Sequence, residues 1–526
     1  MPKFVSMLFI SCLLFSCQSI ERYNAQLMRE IPVTQLQEDV DFAYQKLQRK
    51  HPDLYWFTPK TELEYQLDSF KKAIQQPMKP FDFYYEFSQI IGNIGQAHTS
   101  LVAPSPKIEK ARQKELLKTM GPFSQLKFHF TPNYLLLIGN SSVNKSLPIG
   151  GKITHVNHQP VSEIYQKYAK IEFSDGYNKT FVANQLSRQF SYFFSLEHGI
   201  QDSIVLQFET ADSVFTKTVF RKKIEEKTKA KELKKDSVAK PKLTKIERKQ
   251  NRIKNRNFGY DEQSKTYTIE LSFPAQDSTT AVLKVRNFTK GVPAKAFAEV
   301  FRTIAEHDVK HLVLDLRNNG GGYAHSAREL FAYLYQPAIA FTQPAKVVSK
   351  TSLALAYPQS KTWAGKIIGF PFWMSQSVYS FFKTKKNKEG DYYYKMFSAK
   401  PYAVKDYQYQ DQLCVLINGG SFSATSLLIT MLDQYTQAVF IGEESGGNYD
   451  GTVAGIMPAY KLPNSKLDLR IGHLTIKPNY KTEGVKGRGK FPEIEILPTT
   501  DDIAKGKDPI LQRSLKMIEE ANNRTE

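Results

Sequence analysis

The segment NGGSFSATS, residues 418–426, places four hydroxyl side chains directly after two glycines: Ser421, Ser423, Thr425 and Ser426. The preceding apolar run 413–417 is typical of a buried strand, and Leu427, Leu428, Met431 and Leu432 indicate a helix after it. A helix start offers unpaired N–H groups and stabilises negative charge. If Ser423 attacks a carbonyl, the N–H of Ala424 and one from a neighbouring loop can hold the oxyanion. The pattern alone also fits a serine that only caps the helix.

A second unit of the same kind lies about a hundred residues upstream. The strand-like HLVLDL (311–316) is followed by RNNGGGY and by a helix with one apolar face. Two strand, glycine-loop, helix units, followed by the strand-like 438–442, indicate an α/β core with a mainly parallel sheet. Neither loop has the G-x-S-x-G pattern of α/β-hydrolases or a phosphate-binding pattern.

Upstream, three amphipathic helices are predicted. Thr34 with Gln37, and Thr61 with Glu64, have the spacing of capping boxes at the first two helices. The third helix leads into GNIGQAHTSL, where glycines predict a turn that places His98 at the edge of a loop. Short β-rich runs between about 120 and 220 predict a separate small domain.

The first residues have the pattern of a targeting segment. Lys3 is followed by an apolar run from Phe4 to Phe15, then by Ser16 and Cys17. The run is too short to span roughly 30 Å of hydrocarbon, which favours a signal peptide. Its ending resembles a bacterial lipoprotein signal in which Cys17 carries the lipid.

Cysteine usage limits what the exported chain contains. Of its three cysteines only Cys414 lies beyond this segment, so a disulfide framework is excluded. With no His pair at metal spacing either, we expect no metal site and no cofactor.

The formal charge of +20 is concentrated in one segment. Residues 221–256 hold 16 Lys and Arg against 5 Asp and Glu, and contain no aromatic residue that could stack on a base. We therefore expect no nucleic-acid partner. The segment is predicted to be a disordered or loosely helical basic insertion, or a patch that contacts anionic lipid headgroups.

Three motifs in this order, LVLDLRNNGGG, VLINGGSFSATS and VFIGEESGG, resemble the core of the C-terminal processing, or tail-specific, serine proteases. The fold of that family also underlies the tricorn protease core. HPDLYWF and GQAHTSL resemble the N-terminal region of its envelope members, and LPIGGKITHVNHQPVSEI resembles their PDZ-like domain. The resemblance covers most of residues 34–515 apart from the basic insertion.

The resemblance implies an α/β fold with a ClpP/crotonase-like β-β-α catalytic core, an N-terminal helical domain and a β-rich PDZ-like domain. It divides the chain into five parts: a lipoprotein signal peptide (1–17), the helical domain (30–115), the PDZ-like domain (116–222), a basic disordered insertion (223–258) and the catalytic domain (259–522).

The same resemblance assigns roles to single residues. Ser423 becomes the nucleophile, with oxyanion donors at Ala424 and at Gly321 or Gly322. Many relatives use a Lys base, but Asn448 stands at the matching place and cannot accept the proton. The tricorn-like branch uses a His, which implies His98, whose imidazole suits a general base near neutral pH. Glu483 is the nearest match to the third member.

Other residues have structural interpretations. His325 is expected to be a polar residue at a helix start, and Lys481, Lys486 and Lys490 are fallback bases. Asp315 and Arg317 are expected to hold the strand end by a charge-assisted bond. The apolar stretch 367–382 is predicted to be buried core, with a substrate groove or interfacial patch as the alternatives.

These features predict a serine endopeptidase that hydrolyses peptides or unfolded proteins through an acyl-enzyme on Ser423. The alternative is a catalytically inactive peptide-binding protein on the same fold. The expected location is the envelope of a Gram-negative bacterium, anchored through Cys17 in the periplasm or outer membrane. The sequence does not specify an oligomeric state.

Overall fold

The computed structural model describes residues 19–210, 213–224, 244–262, 264–274, 279–288, 294–354, 356 and 363–525. The signal segment with Cys17, and most of the basic insertion, lie outside these described residues.

Helices of the described ranges are numbered in chain order: α1 (Ile20–Leu27), α2 (Val33–Lys50), α3 (Lys60–Ala73), α4 (Pro80–Gly92), α5 (Lys110–Leu117), α6 (Val161–Ala169), α7 (Thr180–His198), α8 (Lys245–Phe258), α9 (Ala294–Glu306), α10 (Ala324–Leu334), α11 (Trp363–Lys383), α12 (Ala424–Tyr435), α13 (Thr500–Lys505) and α14 (Pro509–Thr525).

The strands are numbered in the same way: β1 (Ser100–Val102), β2 (Thr119–Met120), β3 (Leu126–Phe130), β4 (Leu135–Asn140), β5 (Lys152–Val156), β6 (Gln159–Pro160), β7 (Ser203–Glu209), β8 (Val214–Phe220), β9 (Lys222–Lys223), β10 (Tyr260–Asp261), β11 (Thr266–Tyr267), β12 (Ile269–Ser272), β13 (Thr280–Val285), β14 (His311–Asp315), β15 (Ala345–Val347), β16 (Thr384–Lys386), β17 (Tyr392–Tyr394), β18 (Gln412–Ile417), β19 (Val439–Gly442), β20 (Thr452–Ala454), β21 (Ala459–Lys461), β22 (Asp468–Arg470), β23 (Leu474–Ile476) and β24 (Ile494–Glu495).

The N-terminal helices form as the apolar spacing predicts, but the predicted capping boxes are wrong. Helix α2 begins directly after Pro32 and α3 after Pro59, and neither has a side-chain cap. Each proline stands in the extended N-cap conformation, so the helix starts one residue before the predicted threonine. The Gln37 amide instead donates to the Lys71 carbonyl and ties α2 to α3 at 3.0 Å.

The β-rich region forms an antiparallel sheet in the order β3-β4-β5-β7-β8, with helices α6 and α7 packed on it. Its buried side chains join those of the N-terminal helices in one hydrophobic cluster, which includes Phe87, Phe190 and Phe208. The two predicted N-terminal domains therefore share a core. The PDZ-like identity of the sheet stays a prediction.

The catalytic sheet has the order β12-β13-β14-β18-β19-β24, and every pair after the first is parallel. Strand β14 is buried along its whole length, as a central parallel strand covered on both faces must be. Helices α9, α10 and α12 belong to the hydrophobic cluster on one face, and α14 packs on the other. This confirms the α/β core.

The carboxyl end of β14 is held by a buried ion-pair network. Arg317 donates two hydrogen bonds to Asp315, both 2.9 Å, and two to Asp508, the residue before α14, at 2.6 and 2.7 Å. Burial acts to raise the pKa of Asp315, but Arg317 and Lys284 outweigh it and the pKa lies below its usual value. The network shows the charge-assisted bond expected for Asp315 and Arg317, and it fixes where the first glycine loop begins.

Two further segments contain helices. Residues 245–258 of the basic insertion, predicted to be disordered or loosely helical, form helix α8, which is capped by a reciprocal Thr244–Glu247 box. The apolar stretch 367–382 lies in helix α11, where most of its large side chains are exposed, so buried core is wrong.

Candidate active site

The two glycine loops lie side by side because their strands are neighbours. Strands β14 and β18 pair in parallel, so both loops leave the same edge of the sheet. Asn418 accepts a hydrogen bond from the Asn318 N–H at 2.8 Å, and its side-chain amide donates to the Asn318 Oδ1 at 3.2 Å. The paired asparagines fix the distance between the loops.

Ser423 has a strained backbone at the start of α12. Its φ is +59° and its ψ −120°, in a region that L-residues rarely adopt. Such a conformation costs on the order of 1–3 kcal/mol and persists only where the surroundings hold it. The serine thus sits on a sharp strand-to-helix turn, as in a nucleophile elbow, although the G-x-S-x-G pattern is absent.

Gly321 packs directly against this serine. A Cβ on Gly321 would come within 2.7 Å of the Phe422 carbonyl, 2.8 Å of the Ala424 nitrogen and 2.8 Å of the Ser423 Cβ, and its φ is +92°. The Gly321 N–H donates to Asn319 Oδ1 at 3.0 Å. Among the described residues, the N–H groups of Gly322 and Ala424 have no backbone partner, so these two predicted donors are available to an oxyanion.

His98 reaches the catalytic domain from the other end of the chain. Its ring stacks on Phe422, the residue before Ser423, with 5.1 Å between ring centroids. Its Nδ1 lies 3.2 Å from the Thr452 hydroxyl. Within the described part of the chain no hydrogen bond joins His98 to Ser423. The structure therefore places the ring against Phe422, the residue before the serine, without a formed base–nucleophile bond.

The environment of His98 keeps its imidazole neutral. Burial, together with the smaller effect of the positive charge of Arg470, lowers the pKa of His98 to about 4. The neutral form is therefore the one present at neutral pH, as a general base requires.

Asp175 is the buried carboxyl next to this histidine. It accepts the Ala97 N–H at 3.0 Å, and burial raises its pKa to about 6 while contacts with Thr452 and the Ala97 N–H act to lower it. Thr452 thus stands between His98 and Asp175. The sequence analysis missed both residues, and nothing in their spacing along the chain points to them.

Residues 174–178 hold the histidine turn against the catalytic domain. The Gly176 N–H donates to the Gly95 carbonyl at 2.8 Å, and the Tyr177 N–H to the Gly487 carbonyl at 2.7 Å. The Asn178 side-chain amide donates to the Ser445 carbonyl at 2.8 Å. A single short segment thereby fixes the position of the turn relative to both C-terminal loops.

Glu483, the residue predicted as third member, is not brought into this cluster. It is exposed and accepts a hydrogen bond from the Tyr480 hydroxyl at 3.3 Å. The turn that carries it is held by Gln434, which accepts the N–H groups of Lys481 and Thr482, and by Asp450, which accepts that of Gly484. Because these contacts anchor the turn beside the end of α12, His98 has Thr452 and not Glu483 as its polar neighbour.

Ser421, Ser426, Asn448 and Lys490 have structural partners. Ser421 donates to the Leu316 carbonyl at 2.9 Å, and Ser426 to the Ser421 carbonyl at 3.3 Å. The Asn448 side chain donates within its own turn to Gly451. Lys490 pairs with Asp433 at 2.8 Å and with Glu493 at 2.6 Å, which leaves it poorly suited as a base.

His325 also lies outside the cluster formed by His98. Its ring packs edge-on against Phe397, and its Nδ1 lies 3.9 Å from Glu329 of the same helix. This matches the expected polar residue at a helix start.

A cavity of about 380 Å³ opens beside the serine loop. His98 and Phe422 line it, together with Glu172, Tyr192 and Arg470. It offers space for a side chain against the loop that carries the strained serine. Across the described residues, no group of three or more His, Cys, Asp or Glu side chains is arranged to hold a metal ion.

Comparison with known proteins decides the family. Residues 279–486, which contain both glycine loops and Ser423, match the model of peptidase family S41. The chain carries a peptidase family S41 domain. The match confirms the predicted family of C-terminal processing proteases, and the protein is a serine-type peptidase. A search of the curated proteins finds no match.

Solved structures extend the likeness beyond the S41 domain. Mature CPAF complexed with lactacystin is similar with a TM-score of 0.60 and 13% identity, covering 93% of this chain and 99% of that one. A second structure of mature CPAF has a TM-score of 0.56 and 14% identity, covering 90% and 94%. At these identities the comparison shows the fold, and it shows it over nearly the whole chain.

The contacts of Gly321 in the S41 domain give a matched pair of substitutions. Gly321→Ala adds a methyl group against three backbone or side-chain atoms at a positive φ, so we expect peptidase activity to fall by at least about a hundredfold. Gly320→Ala meets no atom within 4 Å and should retain activity. Steady-state cleavage of an unfolded protein measures both. Equal activity in the two variants would show that the Gly321 contact has no role in catalysis.

Proposed function

We propose that the S41 domain is an endopeptidase in which Ser423 is the nucleophile and His98 the general base. The observation that carries this proposal is the position of His98, which stacks on Phe422 beside a serine held at a positive φ.

The contact with Thr452 is compatible with the tautomer that the reaction needs, because a hydroxyl can accept a hydrogen bond from a ring N–H. If Nε2 takes the proton from the Ser423 hydroxyl, Nδ1 carries the hydrogen and donates it to the Thr452 Oγ1 at 3.2 Å. The Thr452 hydroxyl hydrogen is then free to turn toward Asp175. Thr452 and Asp175 become positioning residues that hold the ring and stabilise the imidazolium.

In the first step the Ser423 oxygen bonds to the substrate carbonyl carbon, and its proton passes to His98. The carbonyl oxygen becomes an anion that the Ala424 and Gly322 N–H groups can bind. His98 then gives its proton to the leaving amine as the C–N bond breaks, which produces the acyl-enzyme. Water next attacks the acyl carbon while His98 takes its proton, and His98 returns a proton to the Ser423 oxygen as the acid product leaves. The bond between His98 and Ser423 has to form on substrate binding, as catalytic hydrogen bonds often do.

Substitution of the two reacting residues tests the assignment. Ser423→Ala and His98→Ala should each lower cleavage of an unfolded protein by at least about a thousandfold, because either loss removes the activated nucleophile. A fluorophosphonate probe should label the wild type and the control variant His325→Ala. It should label neither Ser423→Ala nor His98→Ala. An unlabelled wild type that still binds peptide would favour the inactive peptide-binding protein, and full activity in Ser423→Ala would exclude this nucleophile.

The buried base predicts an unusual pH dependence. Because the pKa of His98 is lowered from 6.5 to about 4, the free enzyme should keep kcat/KM through pH 6.5 and lose it only as the pH nears about 4.

Thr452→Val keeps the shape of the side chain but loses the hydroxyl. We expect kcat to fall about tenfold to a hundredfold with KM nearly unchanged.

Kinetics between pH 4 and 8 check both statements. An acid limb centred at 6.5 in the wild type would mean that His98 is not the buried base. A Thr452→Val change confined to KM would assign Thr452 to substrate binding instead of to ring positioning.

We also propose that the protein is an envelope lipoprotein anchored through Cys17. Support comes from the apolar run and the Cys that ends it, which precede a helical region beginning at Ile20. In bacteria fed a labelled fatty acid, the chain should acquire label and sediment with membranes. Cys17→Ser should abolish the labelling, and equal labelling of both chains would reject the anchor.

A further inference from the structure

Helix α11 exposes an apolar surface that a helix in water normally buries. Nine of its large apolar side chains are exposed: Ile367, Ile368, Phe370, Phe372, Met374, Val378, Tyr379, Phe381 and Phe382. Ile368 is 80% exposed and Phe382 66%. Contiguous exposed apolar surface of this kind marks a binding surface for another molecule.

The side of α11 that faces the protein is the more polar one. Ser377 and Ser380 are buried, and Trp373 packs over Gly369 close enough that a Cβ there would meet its ring at 2.6 Å. The helix therefore turns two serines and Trp373 inward, and most of its large apolar side chains outward. A helix whose only environments were water and the protein core would have the opposite arrangement.

Positive charge surrounds this apolar surface. Residues 363–383 contain no Asp or Glu. Lys366 is exposed near the start of the helix, Lys383 ends it, and the hairpin that follows exposes Lys385, Lys386 and Lys388. The first acidic residues after the helix in the chain are Glu389 and Asp391 of the hairpin, and Asp391 lies 3.9 Å from Lys346.

We propose that α11 lies on an anionic lipid bilayer, with its exposed apolar side chains in the acyl-chain boundary and the lysines of the helix ends and hairpin at the headgroups. Aromatic and aliphatic side chains flanked by lysine are the composition of interfacial helices. This inference is independent of the assignment of Ser423 and His98.

The helix rests on the membrane and does not cross it. It spans about 30 Å at the rise of an α-helix, but Pro371, Ser375, Gln376 and two buried serines interrupt its apolar character. Among the described helices none is long and apolar enough to span a bilayer. A helix attached along one side to a folded domain fits an orientation in the plane of the interface.

A second copy of the chain is the less favourable occupant of the same surface. A symmetric dimer through α11 would bring together two chains that each carry a net charge of +20, with lysines at both ends of the shared helix surface. Anionic headgroups complement the same charges.

Vesicle binding tests the proposal on the full chain carrying Cys17→Ser, so that no lipid is attached. The chain should co-sediment with vesicles of equal parts phosphatidylglycerol and phosphatidylcholine, and less with phosphatidylcholine alone. Ile368→Glu with Phe372→Glu should weaken binding to both by at least about tenfold. Lys385→Glu with Lys386→Glu should weaken only binding to the anionic vesicles, by about tenfold.

The matched control places two glutamates on exposed apolar residues elsewhere. Leu117→Glu with Val143→Glu, at residues 73% and 75% exposed, should leave vesicle binding unchanged. Circular dichroism and thermal unfolding show that each variant folds, since all four apolar sites are exposed. Equal vesicle binding by the wild type and the Ile368/Phe372 variant overturns the proposal. If, in addition, the wild type is a dimer in light scattering and the Ile368/Phe372 variant is a monomer, the surface is an interface between two copies of the chain.

Discussion

The pairing of strand β1 with strand β22 is the contact on which the active site depends. Ser100, Leu101 and Val102 pair with Arg470, Leu469 and Asp468, so a strand of the N-terminal region becomes part of a sheet with the catalytic domain. His98 lies two residues before this strand. The Val453 N–H also donates to Gln96 at 3.3 Å, which fixes the turn from a second side. Without these contacts, the serine and the imidazole would belong to separate units of the chain, and their relative position would follow the motion between domains.

On the other side of the site, the serine is positioned by close packing and not by hydrogen bonds of its own side chain. Neighbouring parallel strands bring the glycine loops together, and the asparagine pair 318 and 418 closes the gap. Gly321 then allows the first loop to contact the backbone of the second, and Ser423 takes the strained conformation that this contact requires. The strain and the absence of a Cβ at Gly321 are two parts of one arrangement, because a larger residue would push the loops apart. The buried Arg317 network holds the first loop at its root.

Two parts of the surface differ in the polarity and charge of their side chains. The active-site cavity contains both charged and aromatic side chains, whereas α11 shows an apolar face beside a lysine hairpin. The hairpin strands β16 and β17 belong to the same sheet as β20, which carries Thr452. One sheet thus connects the proposed membrane surface with the proposed positioning residue. An enzyme held at a lipid surface in this way would meet substrates that are themselves close to the membrane.

Local sequence pattern was sufficient to predict much of the secondary structure of this protein. Strand, glycine loop and helix recur around residues 311–334 and 413–435 because apolar periodicity and glycine conformational freedom act over a few residues, and both units have the predicted form. The sequence also indicated Ser423, Ala424 and His98, though the role of His98 came from resemblance and not from spacing. Tertiary structure alone decided which side chains surround that imidazole. Thr452 lies 354 positions from it along the chain, and Asp175 belongs to a third segment. It likewise placed Glu483 outside the cluster and the apolar residues of α11 at the surface. Periodicity identifies which face of a helix is apolar, but only the packed neighbours determine whether that face meets the core or the solvent.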